Sequence, residues 1–136
     1  MRITWLFGAS VITLAFFGGG LLAVPAWLLE MYGLQMTPDG EVVARVLGAQ
    51  LLGFGVLEWF ALRGGRELRV GAVRAAFVGE VSSLAITAVA AFQGRGNTLF
   101  LSVVAIFLVF SIWRGYYLMT YGRAAAAEPA GSPAGA

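Results

Sequence analysis

The sequence predicts an all-α integral membrane protein: a bundle of four transmembrane helices with both termini on one side, and a short interfacial segment after the first helix. Three observations predict it. Of 136 residues, 60% are hydrophobic and only 12% are charged, with a mean hydropathy of +0.84, whereas a soluble domain carries about a quarter charged residues. Four apolar stretches, near 3–24, 42–62, 72–93 and 98–121, are each long enough at about 1.5 Å per residue to cross a hydrocarbon core of roughly 30 Å. The arginines are unevenly shared between the two sides that four spans create. One side takes Arg2, Arg63, Arg66, Arg69, Arg74 and Arg123, and the other only Arg45 and Arg95, which under the positive-inside rule puts both termini in the cytoplasm.

The first span follows Met1-Arg2. A cleavable leader ending at Val24-Pro25-Ala26 is the alternative, but the apolar run is longer than the 7–15 residues a leader needs. Gly18-Gly19-Gly20 would loosen a soluble helix; in a membrane helix glycine permits close approach. Pro25 ends or kinks this span. Residues 26–36, AWLLEMYGLQM, are apolar but too short to cross, so they lie at the interface, anchored by Trp27 and Tyr32. The second span opens on TPDGE, with Thr37 as N-cap, Pro38 in the first turn, and Asp39 and Glu41 at the positive end of the helix dipole.

Residues 63–74, with four arginines and one glutamate, read as the loop between spans two and three. GRGN, residues 94–97, links spans three and four, with Asn97 as N-cap. The transmembrane domain is thus 1–121, and the small, Pro- and Gly-rich residues 122–136 read as a disordered tail.

The chain has no Cys and no His. Dithiol exchange, Ser-His-Asp and Cys-His nucleophiles, His-ligated haem and His-containing metal centres cannot be built from it alone. All nine basic residues are Arg and form no run, which gives nucleic-acid binding little support.

Ionisable residues inside the spans carry the functional question. Glu80 lies six residues into the membrane from Arg74, roughly 9 Å. Glu58 lies five residues before Arg63, and Arg114 nine before Arg123, so all three fall at a similar depth in the inner leaflet. A lone charge at the bilayer centre costs at least about 2.5–3.5 kcal/mol. Two carboxylates around one guanidinium offset much of that, and bidentate pairing would draw three helices together. The cluster is either a structural latch, a lipid or substrate site, or a proton or ion relay. Gln50, mid-membrane on span two, suits interhelical hydrogen bonding.

Span three carries a small residue every fourth position: Gly71, Ala75, Gly79, Ser83, Thr87, Ala91. Span two has shorter versions, Ala44–Gly48 and Ala49–Gly53. Such ridges let membrane helices pack closely, either within the bundle or against another subunit. Aromatic belts stand at one end (Trp5, Trp59, Trp113, Tyr116, Tyr117, Tyr121) and at the other (Trp27, Tyr32, Phe100), and suit anchoring or an aromatic surface for an isoprenoid or pigment.

Residues 32–64, YGLQMTPDGEVVARVLGAQLLGFGVLEWFALRG, resemble the DUF4345 family of small four-span bacterial membrane proteins, related to the DoxX-like group. The Tyr-Gly and Pro after span one, Arg45 at the start of span two and the run Gly48, Gly53, Gly55 carry the resemblance. It implies a four-helix membrane bundle in a bacterial inner membrane and no particular activity. The small multidrug exporters are of similar length and span number, but carry an acid in their first span; residues 3–24 contain none.

The expectation is a non-catalytic accessory or assembly subunit that packs against other integral membrane subunits or itself, with membrane lipid as its surroundings. It has no cofactor of its own, and a lipid, quinone or pigment bound at its surface. The alternative is a small carrier, or a lipid- or quinone-interacting protein, that uses Glu58, Glu80 and Arg114.

Overall fold

The computed structural model describes residues 3–126, which form five α-helices and no strand. They are α1 (Ile3–Ala23), α2 (Pro25–Met31), α3 (Pro38–Arg63), α4 (Arg66–Phe92) and α5 (Phe100–Ala126). Four are long and apolar enough to cross a membrane: α1, α3, α4 and α5.

Local chemistry sets the boundaries. Pro25 stands at the start of α2, where its missing N–H costs nothing, and α2 lasts only 7 residues. Gly33, at φ +72°, lets the chain turn back. Thr37 caps α3, its hydroxyl accepting from the Gly40 N–H at 3.2 Å, with Pro38, Asp39 and Glu41 in the first turn.

Two expectations are corrected here. The stretch 63–74 is not a loop: α3 runs to Arg63, α4 starts at Arg66, and only Gly64 and Gly65 separate them. Arg66 and Arg69 therefore stand in the first turn of α4, and Arg69 Nε donates to the Gly64 carbonyl at 3.0 Å. Residues 122–126, expected in a disordered tail, are helical instead, because α5 continues to Ala126, as suits an alanine-rich stretch. Met1, Arg2 and residues 127–136 lie outside the described residues.

The long helices associate as two pairs, α1 with α3 and α4 with α5. The first pair is close because of glycine. A Cβ on Gly48 would stand 2.7 Å from the Leu22 nitrogen and 2.8 Å from the Gly18 carbonyl oxygen, both backbone atoms. Arg45 adds a polar tie, donating to the Leu22 carbonyl at 2.6 Å while paired with Glu41 at 2.8 Å. In the second pair the Phe77 ring lies over Gly115, 3.3 Å from where a Cβ would be.

Contacts between the pairs concentrate at two levels. Near the α3–α4 link, Phe7, Ala61, Ala72, Val73 and Tyr117 form one buried cluster. At the other end Leu21, Leu28, Tyr32, Ala44 and Phe100 form a second. There the 94–97 link is held to α2: the Asn97 N–H donates to the Tyr32 carbonyl at 2.9 Å, and its side-chain amide to the Met31 carbonyl at 2.8 Å.

Candidate functional site

Between these levels the pairs are joined by one polar node. Arg114 of α5 is fully buried. Its Nε donates to Glu80 Oε1 of α4 at 2.8 Å. Its Nη2 donates to Glu58 Oε1 of α3 at 2.7 Å and to Ser10 Oγ of α1 at 2.6 Å. Glu58 is 2% exposed and Ser10 3%. Each of the four long helices thus contributes one residue. The Phe110 ring lies 5.9 Å from the guanidinium carbon, one turn away along α5.

The structure brings Glu58, Glu80 and Arg114 together. The contacts are not bidentate forks: the guanidinium bridges two carboxylates and engages one oxygen of each. That leaves Glu58 Oε2, Glu80 Oε2 and Arg114 Nη1 buried with no hydrogen-bond partner among the described residues, along with the Ser111 hydroxyl. Buried polar atoms are nearly always satisfied, so three unmet atoms on one ion cluster, with a fourth on Ser111 one turn before Arg114 in α5, make a chemical statement. The node offers guanidinium donors, two carboxylate acceptors and a hydroxyl that does both.

Above the node, toward α2, a partly open cavity of about 470 Å³ lies between the helices. Its wall is apolar, with Leu14 and Phe17 of α1, Leu51 of α3, Ile86 of α4 and Phe107 of α5, and Leu28 of α2 at its end. Thr13, Ser83, Thr87 and Tyr32 also line it. The threonine hydroxyls are engaged by their own helices, Thr13 with the Ala9 carbonyl and Thr87 with that of Ser83, so they add little polarity. Burial pushes the Tyr32 phenol above its ordinary pKa. The volume lies within the roughly 300–1,000 Å³ usual for ligand sites.

The small residues separate into two groups. Ala44 and Gly48 are buried, and Gly48 lies against α1. Ala49, Gly53, Gly71, Ala75 and Gly79 are exposed, and a Cβ on Gly53, Gly71 or Gly79 would meet nothing within 4 Å. Packing within the chain is therefore not their role. Ser83 and Thr87 line the cavity. Gln50 is exposed, not placed between helices. Helical phase explains the split: Gly48 faces α1, and its next neighbours in sequence turn outward by about 100° each.

Sequence reasoning missed Ser10, Ser111 and the whole cavity. Ser10 and Ser111 had a weak signal, as hydroxyls at the depth of the three ionisable groups. The cavity had none, whereas Gly18, of the glycine triplet expected to permit close approach, does lie against Gly48. Comparison with protein-family models, with curated proteins and with solved structures finds no match to this chain.

Proposed function

We propose that this chain is a non-catalytic, multi-pass protein of a bacterial inner membrane, a four-helix bundle of the kind that the DUF4345-like residues 32–64 suggest. Its role is to hold an apolar membrane molecule, the acyl or isoprenoid chain of a lipid or quinone. One observation carries this: the partly open, apolar cavity of about 470 Å³ between the α1/α3 and α4/α5 pairs. Ligand sites are clefts of this size with mainly apolar walls, and in a membrane the abundant apolar guest is a hydrocarbon chain.

Purification in a mild detergent, followed by mass spectrometry of extracted molecules, tests the proposal. One lipid or quinone class should be retained in stoichiometric amount. Leu51→Trp, which narrows the cavity, should weaken that retention while the protein stays folded. Retention of no molecule by the parent chain, or equal retention by the Trp variant, would overturn it.

The same purification addresses a second reading, the accessory subunit. Its support is the exposed small face of α4, Gly71, Ala75 and Gly79. A larger membrane complex recovered in stoichiometric amount supports this role, and recovery of the chain alone removes it.

Both termini are proposed to face the cytoplasm, because Arg63, Arg66, Arg69 and Arg74 crowd the end that bears the α3–α4 link. The chain has no Cys, so single cysteines report topology directly. Arg95→Cys should react with an impermeant maleimide on intact spheroplasts, and Gly65→Cys only after permeabilisation. The opposite pattern would reverse the orientation.

A further inference from the structure

Cavity and node are in axial register. On α5, Ser111 stands four residues from Phe107; on α4, Glu80 three from Ser83; on α1, Ser10 three from Thr13. Phe107, Ser83 and Thr13 all line the cavity. Residues three or four apart share a helix face, one turn or about 5.4 Å apart. The polar node therefore lies one turn beyond the apolar cavity on three helices at once.

The node also has free valence of a definite kind. Arg114 Nη1 and the Ser111 hydroxyl can donate, while Glu58 Oε2 and Glu80 Oε2 can accept, and none of these atoms has a partner among the described residues. A group able to satisfy both sets must accept and donate. It must also not be an anion. Two carboxylates already face one guanidinium, so the node has no surplus positive charge to hold one.

We infer that the molecule held in the cavity bears at its inner end a neutral hydroxyl, as an aliphatic alcohol or hydroquinone does, which accepts from Arg114 Nη1 and the Ser111 hydroxyl and donates to one of the free oxygens of Glu58 and Glu80. Phosphate- and carboxylate-headed chains are rejected. This rests on the proposed cavity function and specifies its ligand class. It also gives the node a role beyond joining helices: the groups that close the bundle read the end of the chain. A quinone carbonyl, which can only accept, would satisfy Arg114 and leave both carboxylate oxygens unmet, whereas the hydroxyl of its hydroquinone also donates to one of them.

The test is a series that differs only in its head. The full chain in mild detergent is titrated with hexadecane, 1-hexadecanol, palmitate and hexadecyl phosphate, and bound fractions are read by native mass spectrometry. Hexadecanol should bind about tenfold tighter than hexadecane, the gain expected from one or two net hydrogen bonds, and also tighter than either anion. Ser111→Ala should reduce the advantage of the alcohol several-fold and leave hexadecane binding unchanged, which a merely structural role for Ser111 would not do. Equal binding of alkane and alcohol would overturn the head-group assignment while sparing the cavity. Preference for palmitate or the phosphate would overturn it in favour of an anionic ligand. Binding of none of the four would overturn the cavity function itself.

Discussion

Arg114→Leu should abolish recovery of folded protein. The substitution leaves the Glu58 and Glu80 carboxylates buried without the guanidinium that both contact at 2.7–2.8 Å. Removing one partner of a buried ion pair costs about 3–5 kcal/mol, and here one deletion strips two acids. Native membrane proteins, like soluble ones, hold only a small surplus of stability, on the order of 5–15 kcal/mol. The measurement is the yield of monodisperse protein by fluorescence-detected size exclusion, together with the midpoint of unfolding in sodium dodecyl sulfate. A control separates charge from shape: with Glu58→Leu and Glu80→Leu added, no unpaired charge remains and much of the yield should return, as buried ion clusters can often be exchanged for apolar ones. Glu80→Gln alone should be mild, because an amide oxygen can still accept from Arg114 Nε. Normal yield of Arg114→Leu would remove the node from the list of things that hold this fold together.

Gly48→Leu should separate α3 from α1. Even one methyl group there would stand 2.7–3.0 Å from three backbone atoms, the Leu22 nitrogen, the Gly18 oxygen and the Leu21 carbonyl carbon. Backbone cannot rotate aside as a side chain does, so the helices must move apart, and contacts along the whole interface weaken. Overpacking of this sort costs about 1–3 kcal/mol for a methylene or two; leucine should exceed that, with Gly48→Ala between. The comparison set is built in. Gly53→Ala and Gly79→Ala, where no atom lies within 4 Å, should be neutral or slightly stabilising, since alanine is the better helix former. Unfolding midpoints of the four variants give the answer, and equal effects at Gly48 and Gly53 would refute close packing at Gly48.

The contrast between these glycines marks how much the sequence discloses. Four helices long and apolar enough to span a membrane were legible because hydrophobic length is a strong signal. The meeting of Glu58, Glu80 and Arg114 was legible because charge at membrane depth must find a partner, and depth can be counted from the span ends. The direction in which a small residue faces was not. Gly48 and Gly53 belong to the same kind of spaced pattern, yet one touches a neighbouring backbone and the other touches nothing, because only the rotation of α3 about its axis distinguishes them. The α3–α4 link was misread for a related reason. Arg66, Arg69 and Arg74 read as loop residues, but arginine is a good helix former, and its long stem lets a helix continue past the apolar boundary. The cavity is a property of spaces between helices, and no residue announces it.

The node has a further consequence for how the chain is made. Arg114 is the last of its four members to leave the ribosome; Ser10, Glu58 and Glu80 all precede it. During synthesis α3 and α4 reach the membrane with two acids and no counter-charge, and they remain an unfinished object until α5 arrives. The link that delivers α5 is only 93–99, so the wait is short, but a chain cut before residue 114 can never be completed. A chain that stops short of residue 114 would thus keep Glu58 and Glu80 without the one guanidinium that both contact.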